Sequence, residues 1–146
     1  MITVVQRVTK AKVSVDGKQI AKIGKGFLVL LGVGSHDLKK QATQLAQKIS
    51  KLRIMADKDQ KMNLSIKDAK GEILVISQFT LLGNTKKGNR PSFVKAAMPQ
   101  KAEPLYKHFV DILRDEDIDV KTGKFGAFMQ VNLTNDGPTT IILESK

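Results

Sequence analysis

Residues 27–33 read Phe-Leu-Val-Leu-Leu-Gly-Val, an apolar run with no polar side chain to offer to water. A strand with one solvated face alternates apolar and polar residues, so a run without alternation predicts a strand covered on both sides. Both covering layers must then come from the flanking sequence. Upstream, residues 4–15 (VVQRVTKAKVSV) alternate and predict a half-buried strand. Asp16-Gly17 is a hairpin-turn pair leading to a second strand over 19–23. Downstream, Ser35 can cap a helix, with Asp37 favoured in its first turn by the macrodipole. Leu38, Ala42, Leu45, Ala46, Ile49 and Leu52 recur at helical spacing and form one apolar face.

The remainder repeats this alternation of elements. Arg53-Ile54-Met55 reads as a short strand before a polar loop, and 73–76 form a second apolar run that leads into Ser77-Gln78-Phe79-Thr80-Leu81. A basic loop follows, Lys86-Lys87-Gly88-Asn89-Arg90-Pro91, with Pro91 suited to the first turn of a helix. Ala102, Leu105, Phe109, Ile112 and Leu113 mark a second amphipathic helix. Strands around Val120, 129–133 and 140–143 complete the pattern. No Pro/Gly/Ser-rich linker or internal repeat divides the chain, so residues 1–146 are expected to form one α/β domain. A mixed sheet or half-barrel with helices packed on it fits this order.

Composition narrows the function. The 146 residues carry 25 Lys and Arg against 14 Asp and Glu, a formal net charge of +11. Five acids fall within 111–119 beside a single arginine, which leaves the rest of the chain still more basic. Such a surface favours a polyanion, and nucleic acid is the commonest one. One Tyr, six Phe and no Trp argue against a single-strand binder built on extended stacking platforms. The absence of cysteine excludes a disulfide framework, a thiol nucleophile and a thiolate zinc site. No metal or cofactor is expected. The start, MITVVQRVTKAKV, lacks the features of a signal peptide, and no apolar run approaches the ~18–20 residues of a membrane span. A cytoplasmic protein is expected.

Few residues are placed for chemistry. Gly32-Val33-Gly34 lacks the third glycine of a dinucleotide fingerprint, since position 37 is Asp, and reads as a turn. His36 and His108 read as surface or capping residues, so a Ser-His-Asp triad has little support. Ser77-Gln78-Phe79-Thr80 is the better candidate. It ends a buried strand, where sheets present functional groups. It supplies two hydroxyls, an amide and backbone N–H groups that could be aimed at a developing oxyanion. The plainer reading is a strand end whose side chains satisfy local backbone groups. Asn135-Asp136-Gly137-Pro138 lies between two apolar segments and, taken alone, reads as a hairpin turn whose Gly-Pro bond permits a cis peptide.

These segments together carry a resemblance that runs the length of the chain. Arg7-Val8, residues 26–34, Lys61-Met62-Asn63, SQFTL at 77–81, KKGNRPSF at 86–93, FGAFMQV at 125–131 and NDGP at 135–138 resemble the D-aminoacyl-tRNA (D-tyrosyl-tRNA) deacylases. The resemblance implies the fold of that family and a homodimer with active sites at the subunit interface. It also implies hydrolysis of the ester joining a D-amino acid to the terminal ribose of tRNA, in chiral proofreading of translation. Gly137-Pro138, as a cis pair, would reach into the partner's site and reject L-amino acids, whereas glycyl-tRNA would escape rejection and be hydrolysed. Arg7 would position that loop. Ser77, Gln78, Phe79 and Thr80 would form the catalytic turn, with Phe125, Met129 and Asn135 about the substrate pocket. Lys86, Lys87 and Arg90 would hold tRNA phosphates.

An aminoacyl ester is already activated, so positioning and an oxyanion hole can lower much of the barrier without a dedicated nucleophile. On that view the N–H groups of Phe79 and Thr80 hold the carbonyl oxygen and the substrate's 2′-OH assists water. The competing view makes Thr80 Oγ a covalent nucleophile, although no base lies near it in sequence. Two other classes remain open. An RNA-binding module would bind tRNA without releasing amino acid. A general esterase would cleave small D-amino-acid esters equally well.

Overall fold

The structure, a computed structural model, describes residues 1–145. Its strands are β1 (Ile2–Val15), β2 (Lys18–Ile23), β3 (Gly26–Gly32), β4 (Met55–Ala56), β5 (Met62–Leu64), β6 (Glu72–Ser77), β7 (Asp119–Thr122) and β8 (Gln130–Glu144). Two helices, α1 (Lys39–Ser50) and α2 (Pro99–Asp115), and a 3-10 turn at Phe79–Leu82 complete the elements. One six-stranded sheet runs β2-β1-β3-β6-β7, with β8 also paired to β1. β3, β6 and β7 are mutually parallel, and their two crossovers contain α1 and α2. The sheet curls until β2 faces β6 and β7, which gives a near-closed, barrel-like half. β4 and β5 pair in a small separate sheet.

The apolar run at 27–33 is covered on both faces, as its composition requires. Phe27, Val29 and Leu31 point into a core with Ile73 and Val75 of β6, Leu45 and Ile49 of α1, and Phe109 and Leu113 of α2. Leu28 points the other way, into a second core with Leu74, Ile76, Val8, Ala11, Val13 and Ile23. β1 serves both cores by changing phase. Val5 lies in the helical core, and an irregularity between Val8 and Lys10 turns Ala11 and Val13 toward the second. A one-residue slip of this kind moves every later side chain to the opposite face.

Three expectations are corrected. Ser35 does not cap α1: Leu38 is the N-cap residue, its N–H donating to Gln41 Oε1 at 3.1 Å. Asp37 is taken out of the helix because its buried carboxylate accepts from the Gly34 N–H and the Met1 amine, both at 2.6 Å. Pro91 starts no helix; Pro99 holds the first position of α2, and residues 83–98 are irregular apart from isolated bridges. The short strand expected at 53–55 is Met55–Ala56, and its partner β5 lies inside the loop read as polar.

The largest difference concerns residues 135–138. Asp16-Gly17 forms the expected hairpin, with φ of 49° and 76° at its two central residues. Asp136-Gly137 does not reverse the chain. Residues 130–134 and 140–144 belong to one strand, and both halves pair antiparallel with β1. Val8 is opposite Asn135 and Gln6 opposite Thr140, so residues 136–139 bulge outward opposite Arg7. Gly137-Pro138 in that bulge is a cis peptide.

Candidate active site

β6 ends at Ser77, and the Gln78 N–H continues its ladder by donating to the Leu31 carbonyl at 2.8 Å. The chain then tightens into the 3-10 turn. Leu81 N–H donates to Gln78 and Gly83 N–H to Thr80, whereas the N–H groups of Phe79 and Thr80 have no acceptor among the described residues. They are the first donors of a helical turn, which no earlier carbonyl of that turn can satisfy. Gln78 Nε2 donates to Thr80 Oγ1 and fixes that hydroxyl over the turn. Phe79 meets Phe93 edge to face, with ring centroids 5.0 Å apart.

The turn forms one wall of a cavity of about 770 Å³. Another wall is the 93–99 segment with Ala102 of α2, and a third is 125–131. The first of these is fastened to the end of β3. Ser35 N–H donates to Lys95, Ala97 N–H donates to Val33, and Gly34 bridges Ala96. Phe125 rests on Tyr106 with centroids 5.7 Å apart, and the Tyr106 hydroxyl donates to the Val75 carbonyl at 2.8 Å. Burial pushes that phenol up to about 12. No side chain that lines the cavity is ionisable. The polar groups it offers are therefore those of the backbone, the hydroxyls of Ser77 and Thr80, and the Gln78 amide.

Ser77, Gln78, Phe79, Thr80, Phe125 and Met129 thus share this cavity. Lys86, Lys87 and Arg90 lie on the loop that leaves the 3-10 turn. The paired bonds between Asn84 and Ser92, both 2.9 Å, close that loop and leave the three cations exposed. Arg7, Asn135, Gly137 and Pro138 form a separate group off the cavity lining. Arg7 Nε donates to the Asp136 carbonyl at 2.9 Å and Nη1 to the Ile54 carbonyl at 2.7 Å. Asn135 closes the bulge: its Oδ1 accepts from Thr139 N–H at 2.7 Å and its Nδ2 donates to the Thr139 carbonyl at 3.1 Å. The Thr139 hydroxyl is buried without a partner among the described residues.

Sequence reasoning missed the 93–99 wall. The wall has no periodicity to expose it, since it is held by backbone bonds rather than by an amphipathic pattern. Phe128, inside the FGAFMQV segment, lines the cavity beside Met129.

A family model described as D-Tyr-tRNA(Tyr) deacylase matches residues 4–144. The chain belongs to that family. Members of this family of ester hydrolases named D-aminoacyl-tRNA deacylase match over the whole length. That of Thermodesulfovibrio yellowstonii is 54% identical across 100% of both chains. That of Thermosipho melanesiensis is 55% identical across 100% of this chain and 98% of its own. Among solved structures, one named c-Myc DNA Unwinding Element Binding Protein superposes with a TM-score of 0.93 at 45% identity, over 100% of this chain and 99% of that one. A probable eukaryotic D-amino acid tRNA deacylase, 16% identical, shares the fold with a TM-score of 0.84 over 97% of each chain. No helix of the described residues is long and apolar enough to cross a membrane.

Proposed function

We propose that this deacylase hydrolyses the ester of D-aminoacyl-tRNA in the 77–80 cavity, using backbone donors rather than a side-chain nucleophile. The carrying observation is the pair of unengaged N–H groups at Phe79 and Thr80, at the edge of a cavity lined by no ionisable side chain. Water adds to the ester carbonyl carbon, and the oxygen that becomes negative is held by those two donors. The bond to the ribose oxygen then breaks, and that oxygen takes a proton. Donors arranged before the reaction act on the developing charge without reorganising, and one such donor is commonly worth about 10²–10³ in rate. The 2′-OH beside the ester can relay the water's proton, and no ionisable side chain among the described residues lines the cavity to act as a base instead.

Chiral selection is assigned to the bulge. Gly137 and Pro138 are exposed and lie off their own cavity, an arrangement that suits insertion into the cavity of a second copy in a homodimer. Rejection of one substituent discriminates more sharply than a permissive pocket. Glycyl-tRNA, with no side chain to reject, is hydrolysed as well. Lys86, Lys87 and Arg90 hold phosphates of the acceptor end, so affinity falls with salt at a log–log slope of roughly −0.7 to −0.9 per phosphate.

The test is release of amino acid from matched D- and L-aminoacyl-tRNA, with a small D-amino-acid ester alongside. Rapid release from the D-aminoacyl-tRNA, none from its L counterpart and only slower cleavage of the small ester are expected. Binding without release would make the chain an RNA-binding module, and equal cleavage of the small ester would make it a general esterase.

A further inference from the structure

The chain is poor in aromatics, yet four of its six phenylalanines, Phe79, Phe93, Phe125 and Phe128, line the one cavity. Three of them have a ring against them: Phe79 and Phe93 face each other, and Phe125 rests on Tyr106. Phe128 has no ring partner among the described residues and is 89% exposed, more than any other large apolar side chain. Its neighbours explain its direction. Met129 and Val131 pack into the second core and Phe125 against the helical core, so Phe128 projects from the wall they form. A scattered exposed apolar residue needs no explanation. An aromatic ring held clear of its own core on the lip of the reaction cavity does.

We propose that Phe128 is a stacking platform for an unpaired nucleobase of the substrate's single-stranded 3′ end. The inference rests on the tRNA-ester reading above and adds a residue that positions the substrate. With the scissile carbonyl at Phe79 and Thr80, the terminal ribose lies at the cavity and the preceding nucleotides leave across its rim. Unpaired bases are held by stacking on aromatic faces, whichever base they are. The loop carrying Lys86, Lys87 and Arg90 departs from the same 3-10 turn and supplies cations for the phosphates between those bases. An exposed ring on the cavity rim suits the flat face of an unpaired base, and the basic loop that leaves the same turn suits the phosphates that follow it along the strand.

Because the chain contains no tryptophan, Phe128→Trp introduces a lone fluorescent reporter at the proposed contact. Uncharged tRNA with an intact 3′ end is expected to quench it, and tRNA trimmed of its unpaired 3′ nucleotides is not. Equal quenching by both, or none by either, overturns the proposal. Kinetics give a second reading. Phe128→Ala should raise KM for D-aminoacyl-tRNA about tenfold, with a smaller change in kcat, and Phe128→Tyr should restore it. Hydrolysis of D-aminoacyl-adenosine, which lacks the preceding nucleotides, should not separate the variants. An equal loss on both substrates, or a halving of the sedimented mass in Phe128→Ala, assigns the ring to cavity shape or to a subunit contact and overturns the platform. The fluorescence arm uses no ester, so a wild type that quenches but does not hydrolyse retains the platform and loses only the reaction.

Discussion

Arg7 and Asp136 are joined across two strands by a bond from the Arg7 Nε–H to the Asp136 carbonyl, 2.9 Å long, with the Asp136 carboxylate 3.5 Å from the same nitrogen. The other arm of the guanidinium reaches Ile54 at 2.7 Å. One buried cation therefore ties the β8 bulge to the segment before β4. A planar fork can do this; a single ammonium cannot span both carbonyls. In Arg7→Lys one of them loses its partner, and charge-assisted bonds are worth about 1.5–3 kcal/mol. Denaturant unfolding should show a loss of roughly 2 kcal/mol. Release from L-aminoacyl-tRNA should rise relative to D. An unchanged ratio would remove Arg7 from chiral selection.

Gly137 has φ of 139°, where side chains are strained, and a Cβ added there would lie 2.5 Å from Thr139 Oγ1 and 2.9 Å from the Thr139 nitrogen. In Gly137→Ala the bulge must move. The D-over-L ratio of kcat/KM should fall by at least about tenfold, the discrimination that one well-placed apolar group supplies. A competition assay with both aminoacyl-tRNAs reads it directly.

Thr80→Ala removes the hydroxyl that accepts from Gln78 and leaves both backbone donors in place. If those donors carry the reaction, kcat should fall by no more than about tenfold, whereas loss of a true nucleophile can cost on the order of 10⁶. A substrate ending in 2′-deoxyadenosine should be hydrolysed far more slowly by wild type and variant alike. Normal turnover of that substrate would end the role given to the 2′-OH.

Thr139 carries a buried hydroxyl with no partner among the described residues. Valine has the same shape and no polar atom to leave unsatisfied, so Thr139→Val should raise stability by about 1 kcal/mol. Thermal unfolding checks it, and a lower melting temperature would mean that the hydroxyl is satisfied in the assembled protein.

Glu72 Oε1 accepts from the Lys121 ammonium at 2.8 Å and Oε2 from the Gly24 N–H at 2.7 Å. The Lys121 contact, followed by the Gly24 bond, holds the carboxyl below its ordinary value. The folded chain then binds this proton less readily than the unfolded one. The contribution is whole above the unfolded value of about 4.3 and disappears as pH falls through the lower folded one. Glu72→Gln should cost less than about 1 kcal/mol at neutral pH, as befits a partly exposed pair. The difference from wild type should vanish on the acid side, as melting curves against pH will show.

The two Asp-Gly pairs show how far the sequence could be read. Asp16-Gly17 sits between alternating segments and nothing distant claims it, so its local preference decides the structure. The same dipeptide at 136–137 is held by Arg7 from β1 and by the Asn135 side chain, and these contacts override the turn. Ser35 and Asp37 repeat the lesson. Asp37 had the composition of a first helical turn, but the Gly34 N–H and the Met1 amine claim its carboxylate. Apolar periodicity located both helices, and the unbroken run at 27–33 required cover on both faces, because burial there is a property of the pattern itself. The 77–80 turn was legible as a polar cluster at a strand end, but the 93–99 wall was not. Backbone bonds to β3 hold that wall, and backbone bonds leave no residue signature.

The pairing of β1 with β8 has a consequence in time. Ile2 lies opposite Glu144, so β1 completes its ladder only after β8, the latest-made of the eight described strands, has emerged. Contacts this distant along the chain close slowly, because the whole intervening loop must be ordered first. Arg7 is made early, yet the bulge it grips is nearly the last part to emerge. A nascent chain can thus possess its 77–80 turn before it possesses the 136–139 bulge, so the selectivity proposed for that bulge must wait for β8.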